Sequence, residues 1–113
     1  MRSLRSDITT SQDLSSGALS YTTSIARQFK LERIYFHFSA AVTETITITL
    51  DSAKGANYDT VLRKVNLSSS ADFVYVPEGQ ANFKNGDEIK VQCTNANLTG
   101  IVYVTFKTQE VLL

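Results

Sequence analysis

Tryptophan is absent, and cysteine, proline, histidine and methionine occur once each. The lone Cys93 excludes an intrachain disulfide. The lone His37 leaves no HxH or HExxH pair for a metal, and no CxxC exists to replace it. A Ser–His–Asp arrangement would have to use His37 itself, and no GxSxG elbow accompanies it. Glycine is sparse, with Gly79 and Gly86 isolated in turn signals, so no phosphate-cradling loop is formed. An excess of one charge is lacking too: 11 basic and 11 acidic residues give a net charge of zero. That removes the electrostatic footprint of a nucleic-acid binder and gives little protection against self-association. No apolar run approaches the ~20 residues of a membrane-spanning helix. The opening MRSLRSDITTSQDLSS has arginines but no apolar stretch of a secretory signal, so synthesis in the cytoplasm is expected.

What the 113 residues do contain is alternation. In Thr45-Ile46-Thr47-Ile48-Thr49-Leu50 the aliphatic residues fall on one face and the threonines on the other. This is the pattern of a half-buried antiparallel strand. Ile34, Phe36 and Phe38 repeat it, as do Ile89, Val91 and Cys93, and Val102, Val104 and Phe106. Weaker strand candidates cover 19–26, 60–67 and 72–76. Turn signals separate them at Lys54-Gly55-Ala56-Asn57, Pro77-Glu78-Gly79, Asn85-Gly86-Asp87 and 95–100. About seven short strands with such spacing predict an all-β fold, an antiparallel β-sandwich of jelly-roll or immunoglobulin-like type. The sandwich is expected over 18–108, with an extended N-terminal arm at 1–17 and a C-terminal tail at 109–113. Seventeen extended residues reach about 55 Å, enough to strap a neighbouring subunit.

No residue set reads as catalytic, cofactor-binding or metal-binding. His37 sits mid-strand, opposite in face to Phe36 and Phe38, and reads as a surface residue. Cys93 shares its face with Ile89 and Val91 and reads as a buried, inert thiol. Asp51, Asp59, Asp72, Asp87 and Glu88 fall at strand ends and turns, without the spacing of a calcium loop. Asn66-Leu67-Ser68 and Asn97-Leu98-Thr99 match the glycosylation sequon, which matters only in a secreted eukaryotic chain. The polar arm and a short basic cluster with nearby tyrosines supply the candidate partner-binding residues: Arg2, Leu4, Arg5, Ile8, Leu14, Tyr21, Arg27, Arg33 and Tyr35. Arg and Tyr are enriched at protein interfaces.

The layout resembles short proteins encoded among the structural genes of tailed bacteriophages. The resemblance lies in the polar Ser/Thr-rich start, the strand Phe29-Lys30-Leu31-Glu32-Arg33-Ile34-Tyr35-Phe36-His37-Phe38-Ser39-Ala40-Ala41-Val42-Thr43 and the Thr/Ile hairpin at 44–51. It continues through Ala56-Asn57-Tyr58-Asp59-Thr60-Val61, Asn85-Gly86-Asp87-Glu88-Ile89-Lys90-Val91 and the terminal strand at 100–106. It implies a virion component, either a capsid decoration or cement protein or a head-neck or tail accessory subunit. Such a protein acts by oligomerising, a trimer being one form, and by docking on other virion proteins, without enzymatic activity or cofactor. The alternative is a free-standing β-sandwich module that binds carbohydrate or a protein ligand.

Overall fold

A computed structural model describes residues 2–23, 28–77, 82–84 and 86–112, with side chains described for 5–23, 28–77, 83–84 and 86–110. The alternating runs become antiparallel strands: β1 (Arg2–Asp13), β2 (Leu19–Thr22), β3 (Phe29–Val42), β4 (Thr45–Asp51), β5 (Thr60–Asn66), β6 (Ser70–Tyr75), β7 (Asn82–Phe83), β8 (Glu88–Cys93) and β9 (Ile101–Leu112). A single 3-10 turn, Ala56–Tyr58, lies between β4 and β5.

The pairings are nested. β4 pairs with β5, β3 with β6, β2 with β8, and β1 with β9. The chain is thus one long antiparallel hairpin whose tip is the β4–β5 connection. Rolling that hairpin up sets β9 beside β3 and β8 beside β4. Two sheets result, β1-β9-β3-β6 with β7 also on β3, and β2-β8-β4-β5. This is an all-β sandwich, and its wound connectivity is that of a jelly roll rather than the ABED/CFG order of an immunoglobulin domain.

Residues 2–13, within the segment expected as an arm, run as β1 along β9 of the same chain over twelve register pairs from Arg2↔Leu112 to Asp13↔Ile101. Leu14, just beyond, is fully buried. Residues 109–112, expected as a tail, continue β9, paired with β1 throughout and with the start of β3 at Gln109 and Glu110. At Gln109 and Glu110 the ladder runs on both sides and satisfies the main-chain N–H and C=O groups.

The expected inward faces are the core. Ile34, Phe36, Phe38, Val102, Val104 and Phe106 line the larger sheet, and Ile46, Ile48, Ile89, Val91 and Cys93 the smaller, all at most 1% exposed. Leu50 is only half-buried, at the end of its strand. Phe29 and Leu31 are also buried, although they occupy the opposite parity from Ile34. A β-bulge between Leu31 and Arg33 inserts one residue and switches which side chains point inward. A second bulge, opposite Ile48 and Thr49, does the same in β5 and brings both Leu62 and Val65 against the core. At the turn before β8, Gly86 has φ 88°, and a Cβ there would stand 2.9 Å from that of Ala53, so only glycine fits.

Ile48 is wholly buried, whereas Thr47 faces the other side of the same sheet. Ile48→Ala should therefore cost about 2–5 kcal/mol in urea denaturation and Thr47→Ala less than about 1. Equal costs would contradict the register.

Candidate interaction face

The outer face of the larger sheet gathers the polar side chains that its alternation turns away from the core. From β1 come Arg5 and Asp7, from β3 Glu32, Arg33 and Tyr35, and from β9 Lys107, which together rim an open depression of about 340 Å³. The ladder sets Asp7 opposite Lys107 and Lys107 opposite Arg33. Lys107 Nζ donates to Asp7 at 2.8 Å, and that bond holds the ammonium above its ordinary pKa. Arg5 Nε lies 3.4 Å from Glu32. Both pairs are solvent-exposed, so they orient side chains more than they stabilise the fold. Among the described residues Arg33 has no carboxylate within salt-bridge reach; its guanidinium leans on the Tyr35 hydroxyl at 3.5 Å.

Further along the same face a second row crosses the sheet. His37 Nδ1 is 2.6 Å from Asp72 Oδ1 on β6, and the imidazole stacks on Tyr103 of β9 with ring centroids 6.4 Å apart. Tyr103 and Val74 are also exposed there. His37 is thus a surface residue, as its parity predicts.

The candidate residues separate into two groups. Arg5, Arg33 and Tyr35 converge on this face. Ile8 and Tyr21 pack against the core, Tyr21 with its ring 5.9 Å from Phe106, and Leu14 lies inside it. Leu14 is pinned there, its N–H donating to Gly100 O and its carbonyl accepting from Asn95 Nδ2. A side chain with no exposed surface offers nothing to a partner. Arg27 and the side chains of Arg2 and Leu4 lie outside the described residues. Asp7, Lys107 and Val74 were missed by sequence reasoning, because only the β1–β9–β3–β6 pairing brings them to this face.

Two of the turn carboxylates are engaged by the main chain. Asp59 accepts from the Ser52 N–H at 2.8 Å, and Asp87 from the Ala53 and Lys84 N–H groups at 2.9 and 3.1 Å. Both shape turns. Among the described residues no three His, Cys, Asp or Glu side chains converge as a metal site. Glu44, a residue the sequence does not single out, is 2% exposed. Its Oε1 accepts from Thr94 Oγ1 at 2.7 Å and Ala96 N–H at 2.9 Å, and its Oε2 from Asn97 N–H at 2.8 Å. Such a carboxylate is a clamp for the β8–β9 loop, with both oxygens engaged by the chain itself. It also adds to the burial that pushes the Cys93 thiol up to about 12. At neutral pH that thiol is therefore unionised and inert.

No protein-family model matches the sequence, and no curated protein is significantly similar to it. Solved structures superpose on this chain to differing degrees. The nucleoplasmin-like N-terminal domain of Drosophila FKBP39 superposes with a TM-score of 0.50 at 11% identity, over 96% of this chain and 93% of that one. The Drosophila NLP core gives 0.49 at 10% identity, over 90% and 96%. A chain of the infectious bursal disease virus Gx strain gives 0.43 at 10% identity, over 99% of this chain and 37% of its own length. Of these only the FKBP39 domain reaches a TM-score of 0.50, and at 11% identity that likeness is one of fold alone.

Glu44→Ala would strand two backbone N–H groups and a hydroxyl. We expect it to cost about 2–4 kcal/mol in chemical denaturation, with Glu44→Gln intermediate. A cost below about 0.5 kcal/mol would contradict the clamp.

Proposed function

We propose that this chain is a non-enzymatic structural subunit of a virion, either a capsid decoration or cement protein or a head-neck or tail accessory protein. It acts by self-association and by docking the outer face of its larger sheet on the particle. The observation that carries this reading is the convergence of Arg5, Arg33 and Tyr35 on that face, with Arg33 lacking a carboxylate of its own among the described residues. Arg and Tyr are the side chains that dominate interface energetics, and an Arg without an intrachain carboxylate is suited to an acidic side chain on a partner. The closed apolar core and the engagement of Glu44, Asp59 and Asp87 in loop geometry favour a building block over an enzyme. Net neutrality favours association with protein rather than nucleic acid. Jelly rolls recur in capsid subunits, an analogy at the level of fold. On this reading the chain is made in the host cytoplasm and resides in the virion.

A second reading has one observation behind it. An open groove of about 480 Å³ between β5 and β6, lined by Leu62, Arg63 and Phe73 through Val76, falls in the size range of small-ligand sites. It favours a binding module for a carbohydrate or a peptide.

Mass spectrometry of purified particles tests the first reading. The chain should be present at a fixed copy number per particle. Arg33→Glu should lower its occupancy at least tenfold, about 1.4 kcal/mol, with an unchanged unfolding midpoint. Absence from the particles, or wild-type occupancy by Arg33→Glu, would overturn docking through this face.

A further inference from the structure

Among the described residues five strands border the two sheets: β1, β6 and the two-residue β7 in the larger, β2 and β5 in the smaller. An edge strand presents unpaired N–H and C=O groups, and folded proteins blunt such edges by brevity, bulges, proline or lysine. Four of the five are blunted, β7 by its brevity. β2 has only four residues. β5 is bulged and turns Arg63 and Lys64 outward. β6 has six residues, shifts register against β3 between His37 and Val42, and is followed by Pro77. β1 is neither short, bulged nor closed by proline, and the charges it exposes, Arg5, Asp7 and Asp13, are of both signs. Its twelve residues keep one unbroken register with β9 and include no proline, glycine or lysine.

The side chains along β1 also favour one particular neighbour. Its exposed positions are Arg5, Asp7, Thr9, Ser11 and Asp13. Against a second copy of itself, antiparallel and centred on Thr9, Arg5 faces Asp13, Asp7 faces Ser11 and Thr9 faces Thr9. Two Arg–Asp cross-strand pairs form, related by the two-fold axis, and opposite charges placed in this way favour pairing. A slip of two residues in one direction sets Arg5 against Ser11 and loses both pairs. The same slip in the other direction sets Asp7 against Asp13. A slip of one residue would turn outer faces inward. A slip of six would match Arg5 with Asp7, but Lys107 holds that carboxylate at 2.8 Å, whereas the Arg5–Glu32 contact that the central register must exchange is longer, at 3.4 Å, and exposed. Asp13, by contrast, takes its bonds from Ser15 through Oδ1, leaving Oδ2 without a hydrogen-bond donor among the described residues.

We propose that β1 is a self-pairing edge, through which two copies of this chain join antiparallel about Thr9 into one continuous sheet. The two-fold axis runs perpendicular to that sheet, so the faces carrying Arg33 and Tyr35 lie side by side and point the same way. A pair of copies then presents twice the docking surface, raising its hold on a particle by multivalency. The inference rests on the reading of the chain as an assembling subunit and names the contact that starts the assembly.

Sedimentation equilibrium of the full-length protein tests it. The wild type should dimerise. Arg5→Asp and Asp13→Arg should each weaken dimerisation at least tenfold, and the double charge reversal should restore it. Thr9→Cys supplies an independent measurement should a charge variant fold poorly. Mild oxidation should yield a disulfide-linked dimer from Thr9→Cys and none from Thr105→Cys, which lies on the same face but one strand further in. A wild type that stays monomeric, a dimer indifferent to both single reversals, or cross-linking no better at position 9 than at 105 would overturn the proposal. A chain that dimerises as described yet is missing from particles would reject the virion role and leave the edge contact standing. A chain that occupies particles as a monomer would reject only the edge contact.

Discussion

Phe36, Phe38 and Phe106 on the larger sheet share one dry layer with Ile46, Ile48, Ile89 and Val91 on the smaller. These side chains are at most 1% exposed, and fully burying each contributes on the order of 1.5–3 kcal/mol. No disulfide and no metal site among the described residues supplements that layer. The sandwich therefore depends on two-residue alternation being kept in register across β3, β4, β8 and β9. Where alternation alone would turn apolar residues toward water, bulges at Leu31/Arg33 and opposite Ile48/Thr49 restore the inward face.

The same alternation creates the functional surface. Every inward residue of β3 and β9 turns its neighbour outward, so a packed core obliges the chain to display Arg33, Tyr35, His37, Tyr103 and Lys107 together. Polar groups that do enter the interior are matched one by one. Thr23 Oγ1 accepts the Ile89 N–H at 3.0 Å, Thr108 shares a hydrogen bond with Ser6, and Glu44 closes the β8–β9 loop. Among the described residues no buried side-chain nitrogen or oxygen lacks a partner. The buried Glu44 carboxylate thereby serves loop geometry.

Much of this is legible in the sequence, for a physical reason. Period two is local, so the inward sets of β3, β4, β8 and β9 can be read directly, and so can the buried Cys93 and the exposed His37. Strand pairing is not local. The polar run Arg2–Asp13 has no apolar stripe to mark it as a strand, since only Ile8 of its described side chains packs on the core. Its place is fixed by the ladder with β9, about a hundred residues away, and no window of sequence contains that partner. Leu14 resembles an arm residue for the same reason, and is instead the pin that ends β1. Glu44 resembles any polar residue between strands until the β8–β9 loop folds over it. Arg5 groups with Arg33 and Tyr35 by residue type, but the pairing of β1, β9 and β3 is what brings them onto one face.

Native-state hydrogen exchange probes the shared layer most directly. Amides in the four central strands, β3 and β9 of one sheet and β4 and β8 of the other, should exchange only through global unfolding. Their opening free energies should all equal the stability measured by denaturant. If either central pair opened at a free energy several kcal/mol below the other, the two sheets would not be held by one common core, and the dependence of the fold on that shared layer would be contradicted.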